Sequence, residues 1–179
     1  FRDTDSGSML RVKGADTLCP VGPGVVEGWD FRNKGIQTRV NGEFHLNEVE
    51  ELSPEQAADF PMFQAGDLML SLRNRNMILV TDAEVKRIKW WKVGPFVRQH
   101  DPDFQKGGKI TVFDNHSDDS PTGEHAGGSR VWEIDPATNA ARTIYGGSPG
   151  QFFFSPERGT QQKQADGNLM ITAAQAGRA

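Results

Sequence analysis

The chain has 179 residues, an apolar share of 36 % and 20 glycines, which suits many short strands and tight turns better than a helical bundle. Its 20 basic and 24 acidic side chains give a net charge of −4, which excludes the one-sided basic footprint of a nucleic-acid binder. Cys19 stands alone and no apolar run approaches the roughly 20 residues of a membrane helix, so a disulfide framework, a thiolate metal cluster and a membrane partner are not expected.

Residues 1–43 differ in character from the rest. Phe1 to Ser8 is polar and turn-like. Pro20-Val21-Gly22-Pro23 forbids a helix and fixes an irregular, extended path. Ile36, Thr38 and Val40 alternate with Gln37 and Arg39, a strand that ends at the Asn41-Gly42 turn. The chain opens on Phe1 and ends at Ala179 where a strand is due, so both ends are read as cut. The run from Lys13-Gly14 to Pro23, followed by Arg39-Val40-Asn41-Gly42-Glu43, resembles the fumarylacetoacetate hydrolase family. That resemblance implies metal-dependent cleavage or isomerisation of the carbon–carbon linkages of β-keto acids. It implies for Lys13 a contact with the substrate carboxylate or carbonyl. The family's metal-binding carboxylates lie upstream of this motif, so no metal site is expected, and the alternative is a structural segment without activity.

At Phe44 the text changes. His45 to Glu50 is a short strand-like run. Ser53-Pro54-Glu55-Gln56 starts a helix, with Ser as N-cap and Pro in the first turn, and Pro61 keeps it short. Strands are predicted over Asp67–Leu72, Met77–Thr81 and Val85–Trp91, with Leu68, Leu70 and Leu72 on one face and Arg73-Asn74-Arg75-Asn76 as a polar connection. Trp90 and Trp91 face opposite sides, so one belongs to the core and the other is a candidate aromatic platform. Gly107-Gly108 makes a tight turn, followed by strands over Lys109–Asp114, Arg130–Asp135 and Arg142–Tyr145. Phe152-Phe153-Phe154 reads as packing at a further strand.

These strands repeat. Gly66-Asp67-Leu68-Met69-Leu70, Gly108-Lys109-Ile110-Thr111-Val112 and Gly167-Asn168-Leu169-Met170-Ile171 share one frame of turn glycine, polar residue and strand. The second unit is longer than the first because of a polar loop, His116 to Gly128, and a true structural repeat takes its insertions in loops. Units of a few short strands at this period predict propeller blades. The expected fold is all-β: a partial β-propeller with two complete blades and part of a third over residues 44–179, preceded by an irregular β-rich segment, residues 1–43. Two blades alone leave apolar sheet faces bare, so further blades of a longer chain, or a homo-oligomer, are expected to cover them.

Several side chains in these units carry chemistry. His100 beside Asp101, at a strand start, either holds a turn or reacts. Arg73 is a solvated loop arginine or an anion clamp, and His45 with Asn47 either caps the helix region or lines a site. His116, Asp118, Asp119, Glu124 and His125 crowd one loop, but their spacing matches no ligand set and reads as a solvated insertion.

His45-Leu46-Asn47, Ser71-Leu72-Arg73-Asn74, Gln99-His100-Asp101, the strand Ile110 to Asn115 and the run Ser129 to Asp135 resemble, in that order, the arylsulfotransferase family. Its members are propeller enzymes that move a sulfuryl group between phenols. The resemblance implies that His100 is the nucleophile, that His45 and Asn47 assist the leaving phenolate, and that Arg73 holds sulfuryl oxygens. An imidazole with a reference pKa of about 6.5 is a competent nucleophile at neutral pH, and a phenolate, at about 10, leaves with the help of a donor. The implied partners are a small aryl sulfate and a phenol, with no cofactor, metal or nucleotide sulfate donor. The alternatives are a non-catalytic propeller scaffold or interaction module, and a hydrolase or lyase fragment of the first family.

Overall fold

The computed structural model describes residues 46–164, 166–174 and 177. The segment 1–43, Lys13 within it, and His45 lie outside the described residues.

The fold is all-β. Strands β1 (Leu46–Glu51), β2 (Leu68–Leu72), β3 (Met77–Thr81) and β4 (Ile88–Val93) form one sheet in chain order. Strands β5 (His100–Gln105), β6 (Lys109–Asp114), β7 (Arg130–Ile134) and β8 (Ala141–Gly146) form a second in the same way. Strands β9 (Thr160–Lys163) and β10 (Leu169–Thr172) pair as a third. Every pairing is antiparallel. None of these sheets closes on itself among the described residues.

Alternation builds the core. Met69, Ile78, Val80 and Trp90 leave one face of the first sheet and meet Phe104, Ile110, Val112 and Ile134 from the second. The predicted short helix, α1 (Pro54–Ala57), is capped by Ser53, whose Oγ accepts from Gln56 N–H. It leads into Phe60 and Phe63, which pack on Phe104 with ring centroids 5.0 and 6.1 Å away. The other face of the second sheet holds Phe113, which packs on Phe153 beside Ala173, Tyr145 and Ile171.

The β5–β6 turn shows why its glycines stand where they do. Gly107 and Gly108 have φ of +78° and +70°. A Cβ on Gly108 would lie 2.3 Å from the Asp59 carbonyl oxygen, so no other residue fits that turn.

The structure corrects the sequence reading in four places. β5 is a strand where the sequence reading predicted none. β5 is an edge strand, where Pro102 interrupts no ladder, and a bulge at Asp101 (φ +50°) takes up the irregularity. β4 starts at Ile88 rather than Val85. Val85 has φ +56° in a turn closed by Asp82, which accepts the Lys86 and Arg87 N–H groups. Phe152 to Phe154 follow a 3₁₀ turn and form no strand, although Phe153 does pack as expected. Last, β9 is a strand of polar residues, so each repeating unit begins one strand before its turn glycine.

Candidate functional site

The starts of β1 and β5 and the ends of β2 and β6 converge, and hydrogen bonds fix the junction. Gln99 is fully buried. Its side-chain nitrogen donates to Ser71 Oγ at 3.1 Å and to the Met77 carbonyl at 2.9 Å, which ties the residue before His100 to the β2–β3 end of the first sheet. Asn47, on β1, donates its amide nitrogen to the Gln99 carbonyl at 2.8 Å. Ser53, not Asn47, caps the helix. Arg98 N–H donates to Asn76 Oδ1 at 2.8 Å, and Asn76 in turn caps the 3₁₀ turn Arg73–Arg75. The amide oxygens of Asn47 and Gln99 are buried without a hydrogen-bond partner.

His100 opens β5, and its Nδ1 lies 2.6 Å from Asn115 Oδ1. Asn115 is fully buried just past the end of β6. Its amide nitrogen donates to the carbonyls of Ser155 at 2.5 Å and Arg158 at 3.1 Å. With the nitrogen so engaged, Oδ1 is the atom turned to His100. It can only accept, so Nδ1 carries the proton, and in the neutral ring Nε2 carries the lone pair. Ser129 supports Asn115 in turn, donating from Oγ to its carbonyl at 2.8 Å.

Arg73 stands at the end of β2, half-buried, with its guanidinium donating to Asn74 Oδ1 at 3.2 Å. Among the described residues no carboxylate lies within ion-pair distance of it. Burial, and then the Arg98 guanidinium beside it, pull Arg73 below the ordinary arginine value, while Glu157 and Asp119 offset this in part. Positive charge thus gathers at the mouth of the junction.

The seam between β1 and β5 carries the opposite charge, which the sequence reading missed. Glu48 and Glu50 on β1 lie within electrostatic reach of Asp101 and Asp103 on β5, whose carboxylates bond β9. Burial, with repulsion from Asp103, Asp101 and Glu48, pushes Glu50 up to about 8 even though it accepts the Phe104 N–H. Burial, then Asp101 and Glu48, push Asp103 up to about 7. Burial raises Glu48 and Asp101 as well. Gln161 of β9 bonds this seam, its backbone N–H to Asp101 Oδ2 at 2.7 Å and its amide nitrogen to Asp103 Oδ2 at 2.7 Å. The signal in the sequence was period-two spacing of acids on two strands, hidden because the second was not predicted as a strand.

The crowded loop is more ordered than a solvated insertion. Asp118 accepts from Ser120 Oγ, Ser120 N–H and Ala126 N–H, and these bonds hold it down at about 2. Buried Asp114 receives the N–H groups of Val97 and His116 and the Trp132 indole, each at 2.8 Å. Among the described residues no group of three or more His, Cys, Asp or Glu side chains is placed to hold a metal ion. A groove lined by Asp59, Phe63, Gly108 and Asp135 lies by the β5–β6 turn, at the other end of β5 from His100. No helix among the described residues is long and apolar enough to cross a membrane.

The sequence profile of the arylsulfotransferase (ASST) family matches residues 29–179, and the chain belongs to that family. The match begins inside the segment 1–43, and no finding supports a fumarylacetoacetate hydrolase relationship there. No curated protein and no solved structure matches the chain.

Proposed function

We propose that this protein transfers a sulfuryl group from an aryl sulfate to a phenol by way of a sulfated His100. The observation that carries this reading is the short bond from His100 to Asn115. It selects the tautomer whose Nε2 lone pair can attack sulfur. In the first step an N–S bond forms at Nε2 as the S–O bond to the aryl group breaks, and the phenolate departs. The Nδ1 proton stays in place, and Asn115 Oδ1 stabilises the positive charge that the ring acquires. In the second step a phenol oxygen attacks the same sulfur. The N–S bond breaks, and the phenol proton passes to the departing phenolate or to solvent. Arg73 holds the sulfuryl oxygens with its planar fork. His45 immediately precedes β1 in the chain as His100 opens β5, and with Asn47 it serves the leaving oxygen in this reading. The two four-stranded sheets serve as two propeller blades, with β9–β10 as the first strands of a third. Lys13, outside the described residues, is assigned no role in this reading.

The test is release of 4-nitrophenolate from 4-nitrophenyl sulfate in the presence of a phenol. We expect turnover that requires the phenol, and a mass increase of one sulfuryl group on the peptide holding His100 when the phenol is withheld. Absent transfer would leave the protein as a non-catalytic interaction module, and transfer untouched by His100→Ala would overturn the route through a sulfated His100.

A further inference from the structure

We infer that Arg98 is a second anion-binding guanidinium beside Arg73, and that Asp119 occupies it until an aryl sulfate monoanion exchanges for the carboxylate. The inference depends on the sulfuryl-transfer reading only for the identity of the anion.

Arg98 lies two residues before His100, with its backbone pinned to Asn76, the residue that caps the turn carrying Arg73. Its φ of +56° lies in the left-handed region that a non-glycine residue seldom adopts, so the surrounding bonds hold it there. Its guanidinium nitrogens, Nη1 and Nη2, bond the two carboxylate oxygens of Asp119, and Nη1 also reaches Ser117 Oγ at 3.3 Å. A fork that fits two carboxylate oxygens fits two sulfuryl oxygens as well.

The pair is open to exchange. The side chains of Arg98 and Asp119 are 36 % and 73 % exposed, and an ion pair so accessible to water adds little stability. The loop does not depend on it. Asp118 organises the loop from within through Ser120 and Ala126, and Asn115 and Ser129 fasten its two roots. Asp119 can therefore leave Arg98 while the loop keeps its shape. With Asp119 turned away, Arg98 and Arg73 present two neighbouring cations, an arrangement that one anion relieves.

The test is calorimetric titration of the whole chain with 4-toluenesulfonate, an aryl sulfonate that cannot be transferred. Asp119→Asn should tighten binding roughly two- to fivefold, the weight of an exposed ion pair. Arg98→Gln should weaken binding about tenfold, the weight of a hydrogen bond to a charged group. In the double variant the benefit of Asp119→Asn should vanish, because its only effect runs through Arg98. Arg98→Gly, which suits the backbone at this position, should lose the same affinity with an unchanged melting temperature. Binding indifferent to either single substitution, or a benefit of Asp119→Asn that survives Arg98→Gln, overturns the inference. A protein that shows these affinities but no sulfuryl transfer retains the anion exchange and discards only the transfer chemistry.

Discussion

The two four-stranded sheets share one plan and differ in what surrounds them. Each is a meander in chain order, and each ends its second strand at a polar connection. The second sheet is covered on both sides, by the first sheet through Ile110 and Val112 and by Phe153 and Ala173 through Phe113. Among the described residues, the hydrophobic cluster packs the first on one side. Its other face runs Val49, Leu70, Leu79 and Trp91 across the four strands, and Trp91 at the edge is 56 % exposed. The connections differ more. After β2 the chain turns at once through Arg73–Arg75, whereas after β6 it enters the loop anchored by Asn115 and Ser129. Arg73 and Asn115 hold equivalent places, one residue past the second strand of each unit. The two sheets share a strand order, and the proposed chemistry draws on the connections in which they differ.

The largest effect should fall on the chemical step. His100→Ala is expected to reduce aryl sulfate turnover by about 10³-fold or more, since a nucleophile has no substitute on the pathway. The melting temperature should stay close to that of the parent, because His100 is only part-buried. A large stability effect should fall in the doubly covered sheet. Phe113→Ala is expected to lose about 3–5 kcal/mol in denaturant titration, because the ring is fully buried against Phe153. Asn115→Ala should lower kcat by roughly 10²-fold at nearly constant KM, as the ring loses its fixed tautomer. It should also destabilise by about 1–3 kcal/mol, because two buried carbonyls lose their donor. Asn115→Asp keeps an acceptor for Nδ1–H and should recover part of kcat. A parallel rise in KM would mean that Asn115 touches substrate rather than positioning the ring.

The contrast between the sheets also separates what the sequence made legible from what it hid. Strong alternation revealed β2, β3, β6 and β7, and the turn glycines revealed the repeat. Order within the unit was hidden, because the first strand of each is the least apolar. β5 carries Pro102 and two aspartates, and β9 is Thr-Gln-Gln-Lys. Gln161 is buried all the same, because the Asp103 carboxylate and Thr111 take its amide hydrogens. A polar strand that satisfies other polar groups leaves no hydrophobic signature. His100, Arg73 and Asn47 were named together from the sequence, and in the structure Asn47 and Gln99 join the two sheets. Asn115 and Arg98 were not, because their meaning lies in contacts across 15 residues and 21 residues of chain.

The first strands of the two units offer a subtler test. β1 and β5 bring Glu48, Glu50, Asp101 and Asp103 within electrostatic reach of one another, and Glu50 is raised from 4.5 to about 8. Between those values the folded protein holds protons that the unfolded chain has released. Stability is therefore fully present below about pH 4 and declines as pH rises toward 8. Thermal melts at pH 5 and pH 8 should show the decline, and Glu50→Gln should flatten it. A profile that rises over this range would mean that the seam is ionised and held by a cation instead.

The smallest effect is expected at the adjacent tryptophans of β4. Trp90 enters the core beside Phe63, with ring centroids 6.5 Å apart, and Trp90→Ala should lose about 3–5 kcal/mol. Trp91 points from the same strand to the other face, and Trp91→Ala should change stability by less than about 0.5 kcal/mol, as exposed positions do. The pair thus measures how differently the two faces of the first sheet are covered. A Trp91→Ala loss approaching that of Trp90→Ala would mean that the outer face is covered in solution. Sedimentation would then separate a second copy, which doubles the mass and makes the loss depend on protein concentration, from cover supplied within one chain, which does neither.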